Sequence, residues 1–374
     1  MRFISYGKHN INNADIEAVG TALKSDFLTQ GEKVIEFEKA LALYLNVKHV
    51  VSVNNGTKAL HLSYIATGLK KGDEVITTPN TFVATSNMIL AIGAKPVFCD
   101  IRMDTYNIDE KKIAGLITNK TKAIVPVHFG GHPCEMNYII RLARKYNLKV
   151  IEDAAHALGA TYQGKKIGSL QSDATCFSFH AIKPITTGEG GAIATNDQKF
   201  YKKLLLLRSH GIIKNAEGIN VMEEFGYNYR LTDIQCALGI SQLKRLDGFL
   251  YKRREIVDLY RKGLARVKEI ILPTELKNNI SGWHIFVILT KNENIKRKLA
   301  SFLLANNIGI NYHYPPVFSH PYYQRQGYKN VHAPNTIDYF SRCLTLPIHT
   351  KITRKETTHI INTIKSFFLL TKNY

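Results

Sequence analysis

The sequence predicts an α/β protein in which helices cover a mostly parallel sheet and a smaller C-terminal α/β domain follows. Three observations carry this. Apolar β-branched runs alternate with helical patterns through the first two-thirds of the chain, the signature of a parallel sheet covered on both faces. A long charged helical pattern, Leu250 to Lys268, then crosses toward the C-terminus. Beyond it strands and helices mix again. The 374 residues are 45% hydrophobic and 21% charged, which fits one large and one smaller domain. The expected division is residues 1–249 and 250–374.

In order, the expected strands are Val50–Val53, Glu74–Thr78, Lys95–Ile101, Ala123–His128 and Lys149–Ile151. Between them, Met136–Tyr146 reads as a helix, because Ile139, Ile140, Leu142 and Ala143 form one apolar stripe. Ala174 to Phe179 is a further β-prone segment. Leu231–Leu246 is helical, with Ile234, Leu238, Ile240 and Leu243 apolar. The C-terminal part offers strands at Trp283–Leu289 and Ile308–Tyr314 and helices at Ile295–Asn306 and Arg354–Phe368.

Five scattered cysteines, Cys99, Cys134, Cys176, Cys236 and Cys343, have no paired spacing and argue for a reducing compartment. The start Met1-Arg-Phe-Ile-Ser-Tyr lacks the apolar core of a signal peptide. No stretch approaches the ~20 apolar residues of a membrane helix. The expectation is a cytoplasmic protein that meets no membrane. The formal net charge of +20 admits three readings: solvated lysine faces, steering of a dianionic ligand, and nucleic-acid binding. The charges are spread over helical patterns such as Lys199–Lys203, Lys244–Arg254 and Lys291–Lys298. No nucleic-acid module accompanies them, so solvated faces come first, steering second, and no nucleic-acid partner is expected.

Four segments carry chemistry. In Ser178-Phe-His-Ala-Ile-Lys183-Pro-Ile-Thr-Thr-Gly, a β-prone run delivers one lysine onto a Gly/Thr loop. Pro184 biases Lys183 away from helix geometry. An amine there can join an aldehyde cofactor covalently; a surface lysine before a turn is the plainer reading. Lys149-Val-Ile-Glu-Asp153 ends an apolar strand in two carboxylates, where open α/β sheets bind ligands. Pyridoxal phosphate needs a carboxylate at its ring nitrogen. Asp153 is the candidate, and Glu152 points to the opposite face; either acid could instead cap a turn. His156 either bonds the cofactor phenolate or is a satisfied core histidine. Val50-Val-Ser-Val-Asn-Asn-Gly56-Thr57 reads as strand, turn and helix start, either a phosphate cradle with Ser178 within reach or one of the many ordinary strand-to-helix turns of this kind. Phe82 either covers the flat face of a pyridine ring or packs in the core. His128, His132 and Cys134 lack a second ligand cluster, so no metal site is expected. The glycines at 188, 190 and 191 make no dinucleotide fingerprint.

These segments, with Asn55–Leu60, Pro79–Thr85, Glu152–His156, Phe177–Lys183 and Gly226–Gly239, resemble the sugar aminotransferases of the DegT/DnrJ/EryC1/StrS family. The resemblance runs from about Tyr6 to Pro347. It implies the aspartate-aminotransferase-like fold type I and pyridoxal phosphate held on Lys183, with Asp153 at the ring nitrogen. It implies a homodimer in which Asn228 reaches the phosphate of the neighbouring subunit's cofactor. Tyr6, Thr29, Arg230, Tyr312, His313 and Tyr314 are then the substrate-binding candidates; interdomain packing is the other reading of the 312–320 segment. The segments Leu28–Gly31, Lys183–Thr187 and Tyr312–Pro316 point within the family to a UDP-linked 4-keto-6-deoxy-N-acetylhexosamine as substrate, with L-glutamate as amino donor. Gly188 stands where many relatives have alanine. Lys183 itself argues against the family's dehydratases, which carry histidine there. A different keto sugar nucleotide, or a silent cofactor-binding regulator, are the alternatives; the chain lacks the appended DNA-binding module of the latter.

Overall fold

The computed structural model describes residues 2–371. Among them, seven strands form the central sheet: β1 (His49–Val53), β2 (Glu74–Thr77), β3 (Lys95–Phe98), β4 (Thr121–Val125), β5 (Lys149–Asp153), β6 (Ala174–Ser178) and β7 (Gly191–Thr195), in the spatial order β1-β7-β6-β5-β4-β2-β3. β3, β2, β4, β5 and β6 pair in parallel. β7 runs antiparallel between β1 and β6.

Consecutive apolar residues in these strands serve opposite faces. Val50, Ile76, Ile124, Val150 and Phe177 join one core. Val51, Val75, Ala123, Val125, Ile151, Ala174 and Cys176 join the core on the other side. Two buried faces are why the strands read as unbroken apolar runs.

The helices that position the site are α1 (Asn13–Leu23), α2 (Glu32–Leu45), α3 (Gly56–Ala66), α4 (Ala84–Ala91), α5 (Met136–Lys145), α6 (Gln198–Arg208) and α7 (Asp233–Leu243). Asn55 caps α3, its side chain accepting from the Lys58 amide at 2.9 Å. The expected Leu231–Leu246 helix is shorter. It begins with a capping box between Thr232 and Gln235, and the next helix, α8 (Leu246–Leu264), follows after Lys244 and Arg245. α8 passes from one core to another: Leu246 and Phe249 pack under the sheet, while Ile256, Val257, Tyr260 and Leu264 belong to a C-terminal core. Ile4, distant in sequence, joins that second core.

The C-terminal part holds a three-stranded antiparallel sheet of Ile270–Ile271, β8 (Phe286–Thr290) and β9 (Cys343–Leu346). Helices α9 (Glu293–Ala305), α10 (Pro334–Arg342) and α11 (Arg354–Thr371) accompany it. Two expectations need correction here. The Trp283–Leu289 strand begins only at Phe286, because Trp283 adopts φ 44°. Ile308–Tyr314 is no regular strand; it touches its neighbours through single bridges, Ile308 with Ile4 and Asn311 with Thr345. No helix among the described residues is long and apolar enough to cross a membrane.

Candidate active site

The carboxyl ends of β1, β2, β4, β5 and β6 surround a cavity of about 520 Å³. Chains in a parallel sheet leave their strands on one side, and loops there converge on the same space. Asn55, Gly56 and Thr57 enter from the start of α3, Thr81 and Phe82 from the loop after β2, and Asp153 and His156 from the end of β5. Ser178, Lys183 and Glu189 come from the end of β6 and its loop. Asn311, His313 and Tyr314 close the cavity from the C-terminal part, and Tyr6 from the N-terminus.

Asp153 is buried and held by two donors. The Thr85 hydroxyl donates to its Oδ2 at 2.7 Å, and the Ala155 amide donates to Oδ1 at 3.1 Å. Glu152 faces the other way. It accepts from Thr175 Oγ1 at 2.8 Å, from Ser172 Oγ, and from His128 Nε2 at 2.8 Å. His128 Nδ1 accepts from the Cys134 amide, so its proton sits on Nε2. His132 Nε2 accepts from the Leu276 amide at 3.0 Å, and its Nδ1 lies 2.8 Å from the Pro133 carbonyl oxygen. Both rings serve the chain itself.

Lys183 lies in a turn, its amide donating to the His180 carbonyl at 2.9 Å. Its Nζ is 3.5 Å from His284 Nε2. Burial pushes the Lys183 amine down to about 8; Asp153 and Glu189 oppose that fall and Arg253 adds to it. An amine at that value gives up its proton far more readily near neutral pH than an ordinary lysine, as a nucleophilic or proton-transfer lysine must. His156 bonds Tyr314 Oη through Nε2 at 3.1 Å, and its Nδ1 accepts from the Gly130 amide at 3.3 Å. Burial also pushes His156 down, and His313 down to about 4.

At the cavity's other end the first amides of α3 have no partner within their helix. Gly56 is required there by packing, since a Cβ would stand 2.8 Å from Ser178 Cβ. Phe82 is 59% exposed with its ring 6.2 Å from that of Tyr314.

Four expected residues do not line this cavity. Tyr312 points away from it, its ring near Lys296 Nζ at 5.5 Å. The extended backbone turns Asn311 and His313 inward and so turns Tyr312 outward. Thr29 bridges Thr232. Asn228 is exposed and bridges Ser209. Arg230 follows Tyr229, whose carbonyl accepts from the Asn54 amide at 2.9 Å beside the α3 turn.

The model of the DegT/DnrJ/EryC1/StrS aminotransferase family matches residues 9–365. The chain belongs to this family. This aminotransferase is 44% identical over 369 residues to the UDP-4-amino-4,6-dideoxy-N-acetyl-β-L-altrosamine transaminase of Campylobacter jejuni, covering 97% of each chain. It superposes with a TM-score of 0.94 on Helicobacter pylori PseC, an aminotransferase of pseudaminic acid biosynthesis, at 35% identity and covering 98% and 99% of the two chains. A Streptococcus pneumoniae sugar aminotransferase in its PLP form matches with a TM-score of 0.93 at 30% identity, over 98% of both chains.

The protein is a sugar aminotransferase, pyridoxal phosphate is its cofactor, and its fold is that of the pyridoxal-phosphate aminotransferases. The residues present fit that group. The cavity combines a buried acid, a half-buried amine of lowered basicity, and a helix start that favours a phosphate.

Three residues of this surrounding escape a sequence reading: Thr85 on Asp153, His284 beside Lys183, and Arg253 behind His284. Thr85 lies within a recognised motif, but its partner is 68 residues away. His284 and Arg253 carry no local signal, since His284 lies in the loop before the apolar strand β8 and Arg253 inside the charged pattern of α8.

Proposed function

We propose that this aminotransferase carries an amino group from L-glutamate to the C4 ketone of UDP-2-acetamido-2,6-dideoxy-β-L-arabino-hex-4-ulose, giving UDP-4-amino-4,6-dideoxy-N-acetyl-β-L-altrosamine for pseudaminic acid. The observation that carries the chemistry is Lys183, pushed down to about 8 in a cavity shared with Asp153 and the α3 start. The choice of sugar rests on likeness to the Campylobacter enzyme and to PseC. Physics supports part of it, because a chain of net charge +20 favours a diphosphate ligand.

When bound, pyridoxal phosphate supplies the electron sink that lets a Cα–H bond break as a proton loss. Lys183 Nζ would hold the cofactor, take up that proton and return it. Asp153, fixed by Thr85 and Ala155, would hold its charge at the ring nitrogen. Gly56, Thr57 and Ser178 would hold the phosphate, Phe82 would cover the ring, and His156 would stand at its phenolate side. Tyr6, His313 and Tyr314 would receive the sugar nucleotide. Thr29, Arg230 and Tyr312, away from the cavity wall, would act only on parts of the substrate that extend beyond it.

The proposed working unit is a homodimer, with Asn228 reaching the neighbouring subunit's cofactor. Exposed apolar side chains beside it, Ile219, Met222 and Phe225 at 61–71% exposure, support a covered surface. The same reading keeps residues 1–249 as the cofactor-binding unit and 250–374 as the smaller one, with Ile4 packed in the smaller unit's core and shared clusters such as Phe129 with Ile285 joining the two. The unpaired, buried cysteines suit the cytoplasm.

The test is a half-reaction. The pyridoxamine-loaded protein is offered the L-arabino ketone and its D-xylo epimer separately, and the products are identified by NMR. Amination at C4 of the L-arabino compound is expected. Preference for the epimer, or amination at C3, would place the enzyme on another branch and leave the reaction type standing.

A further inference from the structure

Arg253 sits on α8 between the two cores and is 2% exposed. Its Nη1 donates to the carbonyls of Trp283, His284 and Ile348, each at 3.1 Å. No acid opposes the effect of burial, which pushes the guanidinium down to about 10. A buried cation held only by carbonyls is costly, so its position calls for a reason. Trp283, whose carbonyl it grips, has φ 44°, a backbone region non-glycine residues rarely adopt. The turn so held aims His284 at Lys183.

His284 is 4% exposed. Its ring centroid lies 4.4 Å from that of His156, and its Nε2 lies 3.5 Å from Lys183 Nζ. Its Nδ1 has no partner. Burial first, then the charge of Lys183, pushes its pKa down, so the ring is neutral. At 3.5 Å the separation is at the loose end of hydrogen bonding.

We propose that His284 is a further catalytic residue, accepting a hydrogen bond from the Lys183 amine as Nζ gains and loses its proton, and that Arg253 is the positioning residue that keeps it there. This rests on Lys183 being the reacting amine. Nε2 accepts while the ring proton stays on Nδ1. The other groups facing Lys183 are Asp153, Glu189, His156 and His313. Neither acid takes this place: Asp153 is engaged by Thr85 and Ala155, and Glu189 is 59% exposed.

The variants are His284→Phe, His284→Gln, Arg253→Met and Arg253→Lys. Borohydride fixation of pyridoxal phosphate, mapped by mass spectrometry, first shows whether Lys183 carries the cofactor. Fixation elsewhere in the wild type overturns the Lys183 reading and this proposal with it. The cofactor-free proteins are then labelled with acetic anhydride across pH to give the titration midpoint of Lys183. The midpoint should fall in His284→Phe, because an acceptor for the ammonium is gone, and recover in part in His284→Gln. The half-reaction with L-glutamate, followed by absorbance, should slow about 100-fold in His284→Phe while fixation to Lys183 persists. Arg253→Met should slow it too, and should add nothing in the His284→Phe background. Arg253→Lys completes the cycle where Arg253→Met does not fold. An unchanged midpoint and rate in His284→Phe overturn the role of His284. Additive effects overturn that of Arg253.

Discussion

Lys183 exists in this protein as an amine that folding makes less basic, from an ordinary 10.5 to about 8. Burial disfavours its charged form, and the nearby acids only partly restore it. A lysine whose pKa falls on folding binds its proton more weakly when folded. The cofactor-free protein therefore gains stability as pH rises from about 8 toward the ordinary lysine value. Lys183→Met should remove that pH dependence and raise stability at pH 7 by up to about 3 kcal/mol, read from urea unfolding at pH 7 and 10. The same variant should lose turnover and borohydride-fixed cofactor. A wild-type turnover rate would exclude Lys183 as the reacting amine. Asp153→Asn keeps the size of the side chain and removes its charge. It should lower the half-reaction rate at least about 100-fold while the cofactor stays bound, checked by stopped-flow absorbance beside a cofactor titration. Equal rates would assign the ring nitrogen to another acid.

At the scale of elements, α3 and β6 come together at one point, Gly56 against Ser178. Gly56→Ala places a methyl group 2.8 Å from Ser178 Cβ. It should cost about 1–3 kcal/mol by overpacking and loosen the cofactor, because the helix start must move. Ser178→Gly in the same chain opens room for the methyl group, so the thermal midpoint should recover. Thermal melts and fluorescence titration of the pair decide it: a double variant no more stable than Gly56→Ala would place the strain elsewhere. The strand ends are equally local devices. β5 turns Asp153 into the cavity and Glu152 onto His128, Ser172 and Thr175, so neighbouring acids have separate tasks for a geometric reason.

For the whole molecule, the cavity is made by parts far apart in sequence. Tyr6 and the 311–314 segment close a space opened by the strand ends of the central sheet. The proposed dimer extends that logic across two chains. A Lys183→Ala chain mixed with an Asn228→Ala chain would form one hybrid site that lacks both groups and another that has both. Activity should return toward one working site per hybrid dimer, measured after subunit exchange. Two inactive parents and an inactive mixture, despite exchange shown by mass, would place Asn228 in its own chain's site.

The sequence by itself determined the alternation of strands and helices, because β-branched runs buried on two faces leave a pattern no loop imitates. It also made the lysine loop, the acid-bearing strand and the Asn-Gly-Thr turn legible, since each is a short local conformation written in adjacent residues. The strand β7 and the hairpin Ile212–Lys214 with Asn220–Met222 were harder to see; Gly191-Ala-Ile-Ala-Thr195 is a strand only because β1 and β6 flank it. The expected strand at Ile308–Tyr314 fails for the converse reason: its β-branched start finds only single bridging partners. The outward turn of Tyr312, the hold of Thr85 on Asp153, and the meeting of Arg253, His284 and Lys183 were decided by tertiary structure alone. Hydrogen bonds and burial depend on distance in space. Lys183 and His284 are 101 residues apart, and the low basicity of that amine is the sum of everything folded around it.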